Sequence, residues 1–242
     1  MRKLIAFLFL NLLVCAQLQA SMGTMWFDRM SQAISQRDYE GTYIIHDDNK
    51  LLSYYLQHSN KNNESTERIV QLDEDGIEVI STATAITQLI PHNSEYQSSD
   101  IIKTSPFSIF THLTSEQLTQ SYVLKLMPKE RICGHQAVVL QLISDKWRNR
   151  YKVWIDQQSA LPLKVTIMDD FNNVIKEFRF VDLDIKPSGE NIELPERKDL
   201  SANYSIIKKI KVDQSNNPIA ENLPKSPVTW KPANFNLISS GL

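Results

Sequence analysis

The chain has 242 residues, with 26 basic and 28 acidic side chains, a formal net charge of −2 and two cysteines. With no basic excess to neutralise phosphates, the composition excludes nucleic acid as a partner. Two cysteines are too few for a disulfide-built scaffold, so stability has to come from burial.

Met1-Arg2-Lys3 is a short positive start, followed by an apolar run from Leu4 to Ala16 that only Asn11 interrupts. Leu18-Gln19-Ala20 closes the segment and Ser21 follows, the pattern of a secretory signal peptide over 1–20 cut after Ala20. A membrane anchor would need roughly 20 apolar residues. A lipid-modified Cys15 would need a small residue before it, where Val14 is bulky. With the leader gone Cys133 is the one cysteine left. Removing Arg2 and Lys3 from the 26 basic residues leaves 24 against 28 acidic, a net of −4. About 220 residues remain, enough for one core.

Trp26, Phe27, Met30, Ala33 and Ile34 recur at helical spacing within 24–36, and Asp28 suits the first turn. This stripe reads as a helix packed on a sheet, with a lid over a ligand as the alternative. The period then becomes alternating. Strands are expected at 39–46, 51–58, 64–73, 77–81 and 85–90, divided by clusters such as Asp47-Asp48-Asn49-Lys50 and Asn60-Lys61-Asn62-Asn63. Residues 91–110 read as polar and irregular, with Pro91 and Pro106 as breakers. Thr114 and Gln117 form a capping box for a short helix over 113–120. Strands resume at 122–127, 135–143, 151–156, 161–169 and 174–185. From Lys186 the pattern fails in a Pro- and Asn-rich stretch, read as a mobile linker over 186–225 holding one candidate strand at 206–212. Apolar character returns at Val228-Thr229-Trp230, within a final piece at 226–242.

About ten strands and two helices are too much for a flat open sheet. The fold class expected is mainly β (α+β): a curved, unclosed antiparallel barrel with helices against its concave face. Strand alternation nominates that face. Leu52, Tyr54 and Leu56 share one side of their strand, Val153 and Ile155 one of theirs, and Leu163, Val165 and Ile167 one of theirs. Pro162, Lys164, Thr166 and Met168 fall on the wetter side. In a small closed barrel such a face is filled by side chains; in a wider one it holds a ligand. Acyl chains suit it, since each buried CH₂ contributes about 0.8 kcal/mol.

No catalytic or cofactor constellation stands out, so the chain reads as a binding protein and not an enzyme. The six glycines are scattered, and His46, His58, His92, His112 and His135 have no metal-ligand spacing. Cys133, between Ile132 and Gly134, reads as a buried, slow-reacting thiol at a strand start. Asp169-Asp170 and Asp182/Asp184 fit turns and a solvated face.

Several blocks carry a resemblance. Trp26-Phe27-Asp28-Arg29-Met30 runs into Tyr39-Glu40-Gly41-Thr42-Tyr43; Glu67-Arg68, Leu72-Asp73 and Glu78-Val79 follow. The most specific run is Arg131 to Leu140 (RICGHQAVVL), continuing through Arg150 to Asp156 (RYKVWID), Leu161-Pro162-Leu163-Lys164 and Glu177-Phe178. In this order the chain resembles the MucB/RseB family of periplasmic sigma-E regulators over about 25–185, so that 21–185 is expected to be its N-terminal, lipid-binding-like domain. Trp230-Lys231-Pro232 resembles the start of the family's second domain, here cut short. The resemblance implies a LolA/LolB-like barrel and lipid-like ligands such as lipopolysaccharide acyl chains or mislocalised lipoprotein; from the residues themselves no cofactor is expected. It implies as partner the periplasmic domain of a RseA/MucA-like anti-sigma factor. A lipid or lipoprotein carrier without that partner is the alternative.

Overall fold

The computed structural model describes residues 21–47, 50–73, 76–92, 106–111, 113–144, 148–187, 192 and 204–211, with the backbone alone at 108–109 and 205–211. The signal peptide expected over 1–20 and the piece at 226–242 lie outside these residues. Helix α1 (21–36) leads into β1 (Tyr39–Asp47), β2 (Lys50–Lys61), β3 (Glu64–Gln71), β4 (Glu78–Thr82) and β5 (Ala85–Pro91). Two short helices follow, α2 (Ser108–Thr111) and α3 (Ser115–Thr119). The chain then returns through β6 (Val123–Ile132), β7 (His135–Ile143), β8 (Arg150–Asp156), β9 (Pro162–Met168), β10 (Val174–Phe180), β11 (Asp184–Ile185) and β12 (Tyr204–Lys211).

Among the described residues all twelve strands join one sheet in the order β12-β5-β4-β3-β2-β1-β10-β9-β8-β7-β6, with β11 also on β1. Every pairing is antiparallel. The outer strands β12 and β6 do not pair with each other, so the barrel is unclosed. The β6 edge carries Pro128 beside its register shift and a run of charged residues, features that discourage edge-to-edge association.

Period-2 alternation makes one face apolar across strand after strand. Tyr43 and Tyr54, Leu56 and Ile69, Phe178 and Val165, Val165 and Val153, and Leu140 and Val153 are cross-strand partners and members of one core. The expected stripe Trp26, Phe27, Met30, Ala33 and Ile34 of α1 lies in the same core. A β-carbon on Gly23 would stand 3.0 Å from Leu124 Cβ, so the start of α1 is pressed closely onto β6. Aromatic rings fill the middle: Tyr43 stacks on Tyr54 at 5.2 Å and tilts against Phe178 at 4.9 Å.

Three expectations need correction. The strand expected at 174–185 is broken at 181–183, where the chain arches and gives the N–H groups of Val181 and Asp182 to the carbonyl of Thr42. The stretch read as a mobile linker is anchored: its candidate strand at 206–212 is β12, which pairs along β5, and Tyr204 donates to the carboxylate of Glu78. Lys186, at the start of that stretch, bridges Glu40 at 3.1 Å and Asp184 at 2.5 Å, and Ile192 is buried. Cys133 is not at a strand start. With Gly134 it forms the two-residue turn between β6 and β7, both at positive φ, and it is only partly buried. Burial, with the Asp182 charge, still pushes its thiol pKa up.

The arch explains the one glycine of β1. A β-carbon on Gly41 would lie 2.3 Å from the Asp182 carbonyl oxygen, a distance backbone cannot tolerate. Gly41→Ala is therefore expected to cost about 1–3 kcal/mol through forced backbone movement, read as a lower urea midpoint. An unchanged midpoint would mean that the arch moves freely.

Candidate functional site

Of the eight residues nominated for the concave face, seven lie together. Tyr54, Leu56, Val153, Ile155 and Val165 are buried in the main core, and Leu52 and Ile167 pack against it. Leu163 does not join them. The β8–β9 register shifts between Trp154 and Ile155, pairing Trp154 with Lys164 and Ile155 with Pro162. That irregularity turns Leu163 to the other side of the sheet, into a small cluster with Ala137, Val139 and Trp154. The expectation of a single Leu163-Val165-Ile167 face is thus corrected at its first member.

The opposite face is less wet than alternation suggests. Thr166 is 5 % exposed and donates to the Glu177 carboxylate at 3.2 Å. Lys152 and Lys164 stand 4.4 and 4.8 Å from the Trp154 ring centre, and its indole N–H donates to Glu130 at 2.7 Å. Lysine stems seal this second cluster, so it offers no open site.

The concave face itself is covered by the chain's own elements. α1 lies against it, and the segment before α3 inserts Phe107 and Phe110, neither more than 2 % exposed. Phe107 meets Phe178 edge-on at 4.7 Å; Phe110 meets Phe27 and Tyr151, each at 6.3 Å. These two aromatics were missed because Pro106 and the polar residues before it read as loop. α3 carries the expected capping box, with Thr114 accepting from the Gln117 N–H. Asp28 of α1 accepts from the N–H and hydroxyl of Ser115, tying the two helices.

A cleft of about 560 Å³ lies elsewhere, where the C-terminal half of α1 faces the β8–β9 turn. Arg29, Gln32, Gln36, Asn60, Ser159 and Lys186 are among its lining residues, a polar set that includes none of the eight nominated positions. Beside it the end of α1 is fastened to β2. Asn60 donates its amide to Ser35 O at 2.7 Å, satisfying a carbonyl in the helix's last turn, and its N–H donates to Asp38 at 2.6 Å. The imidazole of His58 is buried, stacks on Tyr39 at 4.9 Å and donates Nδ1–H to the Arg37 carbonyl at 2.7 Å. Burial lowers its pKa below the usual 6.5, against the opposing pull of that hydrogen bond and of Asp38. Among the described residues no group of three or more His, Cys, Asp or Glu could hold a metal ion.

The scaffold has known counterparts. A structure of the Pseudomonas aeruginosa MucA/MucB complex superposes with a TM-score of 0.57 and 21 % identity, over 74 % of this chain and 60 % of that one. A crystal structure of MucB also gives 0.57, at 22 % identity, over 74 % of this chain and 62 % of that one. The fold is thus of the MucB class. The model of the MucB/RseB N-terminal domain matches residues 23–198, and the chain belongs to the MucB/RseB family. The sigma factor AlgU regulatory protein MucB of P. aeruginosa is 26 % identical over 175 residues, 72 % of this chain and 54 % of that protein. The sigma-E factor regulatory protein RseB of Escherichia coli K12 is 23 % identical over 221 residues, 88 % of this chain and 64 % of that protein. The chain thus spans between half and two thirds of these relatives.

His58 sets a pH dependence. Its depressed pKa means that the unfolded chain binds the proton more readily, so its contribution is full above about 6.5 and is lost as pH falls through the folded value. Urea-unfolding free energy should therefore fall between pH 7.5 and 5.5, and His58→Gln should flatten that part of the profile. An unchanged slope in the variant would assign the effect elsewhere.

Proposed function

We propose that this chain is a regulatory binding protein of the periplasm that acts by binding and not by catalysis. Its concave face takes acyl-type ligands, from lipid, lipopolysaccharide or mislocalised lipoprotein. A second surface binds the periplasmic part of a membrane anti-sigma factor. The observation that carries this reading is the family match over residues 23–198. The names of the relatives, both regulators of a sigma factor, and the MucA/MucB complex support the partner. The apolar side presented by Leu52, Tyr54, Leu56, Val153, Ile155, Val165 and Ile167 supports the ligand class. The leader pattern at 1–20 supports export. On this reading the folded unit is one domain that includes β12, so its boundary lies beyond Ile185.

A carrier of lipid or lipoprotein that dispenses with the anti-sigma factor is the second reading. It rests on the same apolar face, which would hold an acyl chain with no second surface engaged.

Calorimetric titration of the exported chain with the periplasmic part of the anti-sigma factor from the same envelope separates the two. Regulation requires saturable binding with a Kd of about 10 µM or tighter, weakened about tenfold or more by a saturating acyl ligand. Heat no different from buffer at about 100 µM partner would end the regulatory reading; acyl binding in the same preparation would then leave the carrier.

A further inference from the structure

The segment Pro106–Thr111 stands apart from the other contributors to the core. It belongs to the connection between β5 and β6, outside the sheet, so its departure would break no strand pairing. Yet it supplies two fully buried rings. Phe107 sits between Phe178 and Phe180, with ring centres at 4.7 and 5.9 Å, and Phe110 sits between Phe27 and Tyr151. The carbonyl of Phe110 accepts from the Ser31 hydroxyl of α1 at 3.1 Å. Take the two rings away and what remains is an aromatic box walled by Phe27, Tyr151, Phe178 and Phe180, continuous with Tyr43 and Tyr54.

The second observation lies at one corner of that box. Tyr151 touches Phe110 on one side and Tyr122 on the other, the latter at 5.9 Å. The hydroxyls of Tyr122 and Tyr151 and the side-chain oxygen of Asn149, two residues before Tyr151, are all buried without a hydrogen-bond partner. Each of these residues is at most 3 % exposed. Buried polar groups are nearly always paired, so these three orphans, two of them on touching rings and the third two residues from Tyr151, point to missing partners. The phenols can donate or accept; the amide oxygen requires a donor. A group offering both, such as an amide, answers all three, whereas an ionised carboxylate offers no donor.

We propose that Pro106–Thr111 is a displaceable plug: an acyl chain takes the place of Phe107 and Phe110, and its amide-type head bonds Tyr122, Asn149 and Tyr151. This rests on the acyl-binding reading and adds where the chain lies, what it expels and which head it carries. Exchanging one apolar filling for another leaves the inner face covered before and after binding, and the affinity then depends on how often the plug is already out.

The test uses dansyl-undecanamide, followed by fluorescence, with the folded exported chain. Phe110→Ala should bind about fivefold tighter or better, because it weakens the competing plug. Tyr151→Phe should bind about fivefold weaker while its urea midpoint stays level or rises, since the lost hydroxyl had no partner in the free protein. Should Phe110→Ala fail to fold, hydrogen exchange on the wild type decides: saturating probe should speed exchange across 106–111. Unchanged or slower exchange there, with a folded Phe110→Ala that binds no tighter, overturns the plug while leaving acyl binding intact. Equal affinity for Tyr151→Phe overturns the head assignment. No saturable binding to the wild type removes the acyl reading as well.

Discussion

An antiparallel sheet that does not close must find another cover for its apolar face, and the rest of this structure follows from that constraint. Tyr43, Tyr54, Leu56, Leu140, Val153 and Phe178 would otherwise face water. Leaving such side chains exposed costs about 1.5–3 kcal/mol each, comparable together with the whole stability of a domain. The chain meets the demand twice. α1 lies on the sheet with its Phe27–Met30 stripe, fastened to β2 through Asn60 and His58 and to the Ser115 region through Asp28. Phe107 and Phe110 fill what α1 leaves.

The two covers differ in how they are held. α1 is a helix of some four turns, locked at its end by hydrogen bonds and pressed against Leu124 at its start. The Phe107–Phe110 segment is one short turn that places two buried rings in the core. On the proposed reading this asymmetry divides the domain into a frame and a movable part. The opposite face shows no such division: lysines roof Trp154 and the Glu177 carboxylate engages Thr166, leaving a finished outer surface.

Much of this architecture was legible from residue order. Period-2 alternation located β1 to β10, the change from helical to alternating period marked the end of α1, and Thr114 with Gln117 announced α3. Legibility failed wherever one residue breaks a period. The β8–β9 irregularity reverses Leu163, and strict alternation cannot register an inserted residue. Phe107 and Phe110 sit in a stretch whose composition says loop, and burial there is decided by the void the sheet presents. β12 was legible as a candidate strand at 206–212 but its place in the sheet was not, because an edge strand needs a partner, here β5, more than a pattern of its own. Of the seven inner-face positions, the sequence could say that they share a face; whether the face is filled by the chain itself is a question of three-dimensional packing.

The central claim is that the inner face is a ligand site and not merely a core. Intermolecular nuclear Overhauser effects from a saturating dodecyl-chain ligand to assigned methyl groups test it directly. The account predicts contacts from the chain's methylenes to Val153, Ile155 and Val165, and none to Val139 across the sheet. Saturable binding whose contacts fall on Val139 or on the outer surface, with the inner methyls silent, would contradict it.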